Sequence, residues 1–407
     1  MTGEAILVGG LGFGDEGKGS IVDYLVRTQG AKLVVRYNGG AQAGHNVVTP
    51  EGLHHTFSQF GSGTFVPGVK THLSRFMILN PLGMVREEEH LRSLGIKDVF
   101  QRTTIDELAL VTTPFQIAVN RLLETWRGDK KHGSCGIGIG QTIEDYEKYG
   151  DKVLFAKDLK NPAIMSKKLE FIQKQCLQAV RSITSNLSNT ETVKTELEWL
   201  ECKNAVDYLV KEFSQFSACA RIVGEKYLTK LLEDSSPVIF EGAQGALLDR
   251  NCGFKPHITK TDTTLANAYV LLREAGYKGK ITKIGVLRAY ATRHGAGPLP
   301  TEDEKLTKML NDDHNVYNQW QDNFRVGWLD IPLTKYAIMI NDGVDFIALT
   351  NLDRLSILGT IKVRINSGFI EFSAWQELVD FLQNKNGLNC PIKILSFGPT
   401  WKEKKIN

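Results

Sequence analysis

The 407-residue sequence predicts an α/β fold, a mostly parallel central sheet flanked by helices, with a P-loop-like turn after the first strand. Three observations carry that expectation. Short apolar, β-rich runs recur along the chain, several are followed by apolar residues at helical spacing, and a glycine-rich turn separates the first run from the first helical pattern. Alternation of this kind puts helices on the faces of a parallel sheet.

The strand signals, in order, are Ala5–Val8, Lys32–Tyr37, Val238–Glu241, Ile281–Ala289, Phe346–Thr350 and Ile392–Leu395. Helical spacing is found over Ser20–Val26, Leu265–Glu274, Leu333–Ile340 and Trp375–Leu382, with Gly276 and Gly387 as stops after two of them. Gly39–Gly44 reads as a loop. The stretch from about 165 to 234 is rich in Lys, Glu, Leu and Gln and poor in glycine, which predicts a mainly helical segment covering one side of the sheet. Lys402-Glu403-Lys404-Lys405 reads as a solvated tail. With no repeat and no low-complexity linker, residues 1–407 are expected to form a single domain.

Hydrophobic residues make up 42% and charged residues 23%, near the globular average, which argues against disorder and against a membrane protein. The net charge of +3 is spread among nearly equal acids, so no nucleic-acid footprint is expected. Six cysteines lie far apart without C-x-x-C spacing, which fits reduced thiols and a cytoplasmic location. The start of the chain reads as a first strand rather than a signal peptide.

The sharpest chemical feature is Gly12-Phe13-Gly14-Asp15-Glu16-Gly17-Lys18-Gly19-Ser20. Between a strand and a helix, such a turn aims backbone N–H groups and the helix dipole at phosphate oxygens, and Lys18 adds a point charge. The spacing satisfies G-x-x-x-x-G-K, but Gly19 stands where the standard motif has Ser or Thr. The usual hydroxyl for Mg²⁺ is therefore missing, and Asp15 is the candidate metal ligand. A turn selected only for tight strand–helix geometry is the plainer alternative.

His45 follows the turn Gly39-Gly40-Ala41-Gln42-Ala43-Gly44 and is a candidate general acid, although a lone histidine is more often simply packed or solvated. Glycines alternate in Ser134-Cys135-Gly136-Ile137-Gly138-Ile139-Gly140, which suits close backbone approach to a phosphate or a sharp turn. Phe240-Glu241-Gly242-Ala243-Gln244-Gly245-Ala246 ends a strand with one amide, able to read a base or sugar. Thr292-Arg293-His294-Gly295-Ala296-Gly297-Pro298 is a turn by composition. Asp353, after the run Leu349-Thr350-Asn351-Leu352, can accept both N1–H and N2–H of guanine, a pair adenine lacks; a helix N-cap is its competing role.

Together and in this order, these segments resemble the adenylosuccinate synthetase family, ligases that join aspartate to IMP using GTP. The resemblance rests on Gly14-Asp15-Glu16-Gly17-Lys18-Gly19, Ala43-Gly44-His45, Phe240 to Gly245, Gly295-Ala296-Gly297-Pro298 with Pro300-Thr301-Glu302, Gly327-Trp328-Leu329-Asp330, and Ser396 with Gly398-Pro399. It spans almost the whole chain and implies a Mg²⁺-dependent, GTP-using homodimer with an adenylosuccinate synthetase-like fold. It also implies that Asp15 takes the purine N1 proton while His45 assists γ-phosphoryl transfer to O6, with Lys18 and Mg²⁺ stabilising the transferred charge. By the same match Gly44 lends a backbone oxygen to the metal beside Asp15. Gly14, Glu16, Gly17, Gly19, Gln42, Cys135, Gln244, Thr259, Arg325 and Asn351 would contact nucleotide, and Asp353, Ser396 and Gly398 would hold guanine.

The sequence also departs from the family. Cys135 replaces Thr, Gln42 replaces Asn, His294 replaces an apolar residue and Asn351 replaces Lys. The aspartate loop, which the family fills with Thr, Gly and several Arg, here reads Asn318-Gln319-Trp320-Gln321-Asp322-Asn323-Phe324-Arg325-Val326. A dicarboxylate with one guanidinium partner is held more weakly, so the alternative is the same chemistry with another amine or nucleotide in a specialised pathway. Where the family sends an arginine across the dimer interface, Glu144 to Tyr149 offers only Lys148. A non-catalytic nucleotide-binding regulator is a reading from another class, and intact Asp15 and His45 argue against it.

Overall fold

The computed structural model describes residues 3–187, 190–310, 320 and 324–407. Its centre is a ten-stranded sheet. Numbered in chain order the strands are β1 (Glu4–Gly10), β2 (Leu33–Arg36), β3 (Lys70–Leu73), β4 (Thr103–Asp106), β5 (Arg221–Val223), β6 (Val238–Gly245), β7 (Lys280–Arg288), β8 (Phe346–Thr350), β9 (Ile392–Ser396) and β10 (Lys404–Ile406). They lie in the order β10-β9-β8-β7-β1-β6-β2-β3-β4-β5, and every neighbouring pair is parallel except β9 with β10.

The middle of the sheet is buried on both faces. Ile6 and Val8 pack under Ile21, Val22 and Leu25 of α1 (Lys18–Gln29), while Ala5 and Leu7 pack under Ala268, Leu271 and Leu272 of the helix Ala266–Glu274. A strand covered on both sides needs an unbroken apolar run, which is what Ala5–Val8 supplies. Helix α1 ends where Gly30 takes φ 66° and returns its N–H to Val26 O.

Along the chain follow α2 (Pro81–Ser93), α3 (Pro114–Arg127), α4 (Ile139–Tyr149), α5 (Pro162–Val180), α6 (Glu191–Glu201) and α7 (Ala205–Cys219). The helical segment near 165–234 is present, with one interruption: β5 lies inside it and pairs with β4 at the sheet edge. Its helices pack chiefly on α2 and α3 rather than across the sheet, with Leu122, Leu169, Leu209 and Phe213 fully buried beside the strand residues Leu73 and Ile105.

Two local expectations need correction. Gly276 does follow its helix, at φ 64°, but Gly387 is not a stop. The helix Trp375–Gln383 ends at Asn384, whose Oδ1 accepts the N–H groups of Asn386 and Gly387. The basic ending is not a solvated tail either. Lys404–Ile406 pairs with Ile394–Ser396, and Lys404 is buried. Lys402, in the 3₁₀ turn Trp401–Glu403, and Lys405 face solvent, while Lys404 opens the strand and points in.

Candidate active site

Ligands of open parallel sheets bind outside the carboxyl ends of the strands. Here the loops after β1, β2, β6, β7, β8 and β9 meet around a cavity of about 920 Å³. Of the residues singled out from sequence, Gly14, Asp15, Gly17, Lys18, Gly19, Gln42, Gly44, His45, Cys135, Gln244, Thr259, Asn351, Asp353, Ser396 and Gly398 all line it. Glu16 and Arg325 do not.

The glycine turn is held from within. Glu16 Oε1 accepts the N–H groups of Gly12 and Gly14 at 3.0 and 2.9 Å, and its Oε2 pairs with the Lys18 ammonium. The Glu16 side chain therefore braces the loop from behind the cavity lining. Gly17 caps α1 in the left-handed region at φ 85°, and Thr350 Oγ1 donates to Glu16 O at 2.7 Å, tying the turn to β8. Gly19 has a spatial reason. A Cβ there would stand 2.8 Å from His45 Cβ and 3.1 Å from Asn46 O, so the Ser or Thr of the standard motif does not fit against this histidine.

His45 is no ordinary packed histidine. Its Nδ1 lies 2.5 Å from Glu241 Oε1, and its buried Nε2 has no hydrogen-bond partner among the described residues. Burial lowers the His45 pKa to about 4, against the opposing pull of Glu241, so Nδ1–H donates to the carboxylate and Nε2 is left for a ligand. Burial pushes the Glu241 carboxyl up, but Arg36, His45 and Ser62 outweigh it and hold it down at about 2. Ser62 contributes both its N–H, at 2.9 Å, and its hydroxyl. Sequence reasoning quoted the Phe240 to Gly245 motif for Gln244 and overlooked Glu241. Its signal was a charged residue closing an apolar strand.

Asp15 sits at φ 59° with its side chain about a third exposed, and its Oδ2 is 3.3 Å from His294 Nε2. Arg288 Nη1 donates to the Asp15 carbonyl at 3.2 Å. On the opposite wall Gln42 Nε2 donates to Gln244 Oε1 at 3.2 Å, and Thr261 Oγ1 reaches the same oxygen at 3.4 Å. The Gln244 carbonyl is thereby engaged and its NH₂ left for a ligand. Thr259 and Thr261 share a hydroxyl contact of 3.2 Å, which brings Thr259 into this network. Cys135 Sγ leans on Gln42 O at 3.8 Å, and burial pushes its thiol pKa up to about 12, so it stays protonated.

At the far end Asn351, Asp353, Ser396 and Gly398 converge, with Leu352 N–H bonded to Ser396 O at 3.1 Å. Asp353 opens a short 3₁₀ turn but is not its N-cap, which is Leu352. Burial raises its carboxyl pKa.

Arg325 is committed elsewhere. Its guanidinium donates to Gly295 O (2.6 Å) and Gly297 O (2.8 Å) and pairs with Glu302 at 2.5 Å. Arg293 is spent similarly on Ala296 O, Pro298 O and His257 O. Both brace the 295–298 turn. In the altered amino-acid loop, Asn318, Gln319 and Gln321 to Asn323 lie outside the described residues, whereas Trp320 stacks on Arg121 at 5.4 Å. Lys148 lies over the Tyr149 ring, away from the cavity walls.

For a divalent cation the fit is good but sparse. Asp15 offers a part-exposed carboxylate and Gly44 a carbonyl on one cavity, and no cluster of three or more His, Cys, Asp or Glu that could hold a metal exists among the described residues. Mg²⁺ is commonly bound this way, through one or two protein oxygens plus substrate phosphates.

The chain is similar to known proteins in both sequence and fold. The family model described as adenylosuccinate synthetase matches residues 7–371. The adenylosuccinate synthetase of Chlorobium chlorochromatii is 33% identical over 368 residues, covering 88% of this chain and 79% of that protein. The one from Thermoplasma volcanium is 35% identical over 362 residues, covering 88% and 77%. The fold is similar to the fully ligated adenylosuccinate synthetase of Plasmodium falciparum, with a TM-score of 0.79 at 23% identity over 99% of each chain. It is also similar to a cyanophage S-2L succinoaminodeoxyadenylate synthetase bound to dGMP and dATP, at a TM-score of 0.67 and 16% identity over 100% of this chain and 96% of that one.

Proposed function

The chain belongs to the adenylosuccinate synthetase family of carbon–nitrogen ligases, and on that premise we propose that it activates the O6 of IMP with GTP and displaces the phosphate with the amine of aspartate. The observation that carries this reading is the convergence of Asp15, Lys18 and the His45–Glu241 pair on one cavity, at the mouth of the phosphate-type turn.

An amide oxygen is a poor leaving group and a phosphate ester oxygen a good one. Asp15 removes the N1 proton, so that electron density moves onto O6. O6 attacks the γ-phosphorus, and the bond to the departing GDP oxygen breaks. His45 presents Nε2 to the transferring group, held in place through Nδ1 by Glu241. The Gln244 NH₂ is placed to meet the oxygen that gains charge. The amine nitrogen then attacks C6, phosphate leaves, and the surplus amine proton passes to solvent. Gly14, Gly17 and Gly19 approach the triphosphate closely, while Asp353, Ser396 and Gly398 recognise guanine and Asn351 borders them. Asp15 and Gly44 O would hold Mg²⁺, which supplies charge neutralisation on the phosphates when bound. The enzyme acts as a cytosolic homodimer in this reading, consistent with six free cysteines among the described residues.

Arg325 favours a second reading. With that guanidinium bound to Gly295, Gly297 and Glu302, aspartate carboxylates lack their expected partner, and a less acidic amine would suit the site.

The test is an incubation of the purified protein with GTP, Mg²⁺, IMP and a panel of amines, following phosphate release and product mass. Aspartate-dependent adenylosuccinate supports the first reading, and product only with another amine supports the second. Binding without turnover would refute both. His45→Ala and Asp15→Ala should each lower turnover by at least about two orders of magnitude. Retained activity in either removes that residue from its role.

A further inference from the structure

Near the base end of the cavity, Lys404 is buried in a way that the triphosphate chemistry does not explain. Its side chain comes from β10, the last strand, and only 6% of the residue is exposed. The Nζ donates to Gly398 O at 2.7 Å and to Thr400 O at 2.9 Å. Both carbonyls belong to the turn joining β9 to β10, whose first half lines the cavity through Ser396, Gly398 and Pro399.

Burying an ammonium is costly unless its donors are used, and here they are used on carbonyls rather than on a carboxylate. Asp23 of α1, Glu403 and Asp353 supply the surrounding negative charge. Glu403 completes the clamp, because its Oε2 accepts Thr400 N–H at 2.7 Å and Thr400 Oγ1 at 2.8 Å. Ser396 Oγ donates to the same Gly398 carbonyl at 3.3 Å. With that carbonyl turned toward Lys404 and Ser396, the peptide planes beside it are fixed. The turn is also tied to both neighbours in the site. Leu352 N–H reaches Ser396 O, which carries Asp353, and Arg27 of α1 lies 5.7 Å over the Trp401 ring.

We propose that Lys404 is a positioning residue for the nucleotide donor, holding the Ser396–Thr400 turn so that the base pocket distinguishes guanine from adenine. The inference rests on the reading of Asp353, Ser396 and Gly398 as the guanine site. Lys404 itself does not line the cavity, and in this proposal its effect is confined to the base end.

The experiment compares steady-state kinetics of wild type, Lys404→Met, Lys404→Arg and Glu403→Gln, each with GTP and with ATP as donor. Lys404→Met should raise KM for GTP about tenfold or more, the effect of losing about 1.4 kcal/mol of donor binding. It should leave kcat and the KM for IMP within about twofold, and lower the GTP-over-ATP preference in kcat/KM by a similar factor. Lys404→Arg should recover part of that preference. Glu403→Gln, which keeps the buried lysine, should move the same quantities in the same direction if Lys404→Met does not fold. Unchanged preference in folded variants, or an equal rise in KM for IMP, would overturn the role of Lys404. A wild type that itself shows no preference for GTP would instead overturn the guanine site.

Discussion

Three of the five described non-glycine residues with positive φ, Asp15, Gln244 and Asn351, line the cavity. Each left-handed residue of this kind costs on the order of 1 kcal/mol and persists where the surroundings impose it. At Asp15 the imposition is visible, since Glu16 and Arg288 fix the backbone on either side of its carboxylate. Gly19 shows the opposite economy, a missing side chain. A P-loop reading treats its lost hydroxyl as a defect, yet a Cβ at Gly19 would meet His45 at 2.8 Å. Gly19→Ser should therefore displace the histidine instead of creating a metal ligand. We expect kcat to fall by at least about tenfold with little gain in Mg²⁺ affinity, measured by initial rates against Mg²⁺ concentration. An active Gly19→Ser enzyme with tighter Mg²⁺ dependence would show that the ordinary P-loop arrangement is accessible. Much of the cavity lining was legible in sequence because it sits in glycine-flanked motifs at strand ends. Glu16 and Arg325 lie outside the cavity lining because a motif does not state which way a side chain turns: Glu16 turns into its own loop, and Arg325 onto the 295–298 turn.

Among the elements, legibility followed burial. The strands β1, β2, β6, β7, β8 and β9 carry apolar runs and were evident, whereas β3, β4, β5 and β10 were missed. The sequence Lys70-Thr71-His72-Leu73 and the sequence Thr103-Thr104-Ile105-Asp106 hold only one aliphatic residue each, so hydrophobic periodicity does not mark them. They become strands because β2 offers a parallel edge and the α2, α3 and α7 core covers Leu73 and Ile105. Within that lobe α3 reaches the cavity through Asn120, Leu123, Glu124 and Arg127, whereas no residue of α5, α6 or α7 lines it, so these three helices contribute stability without touching the site. Phe213, fully buried on α7, tests the separation. Phe213→Ala should cost about 3 to 5 kcal/mol in urea unfolding while leaving both nucleotide KM values unchanged in the folded fraction. A change in KM without loss of stability would mean that the lobe communicates with the site.

Stability of the whole molecule in acid depends on which buried groups resist protonation. His72, on β3, is the simplest case, because its Nδ1 meets Thr104 Oγ1 at 2.9 Å and burial alone lowers its pKa from 6.5 to about 4. The folded state thus binds the His72 proton later than the unfolded chain does. Its contribution is complete above pH 6.5, declines as pH falls, and is lost once pH passes below about 4. His45 adds a second decline over the same window. Asp23 opposes them, since burial raises its carboxyl pKa from 3.8 to about 6, which favours the folded state as pH falls through that range. Between pH 6.5 and about 4 the two histidines and Asp23 therefore act on stability in opposite directions. Replacing His72 removes one proton from that balance, whatever the variant does to stability at neutral pH. For His72→Leu, the slope of unfolding free energy against pH should become shallower by about 1.4 kcal/mol per unit between pH 6 and 5. Urea midpoints at pH 7.5, 6.5, 6, 5.5 and 5 measure it. Parallel curves for the variant and the wild type would mean that His72 is protonated with no penalty inside the sheet.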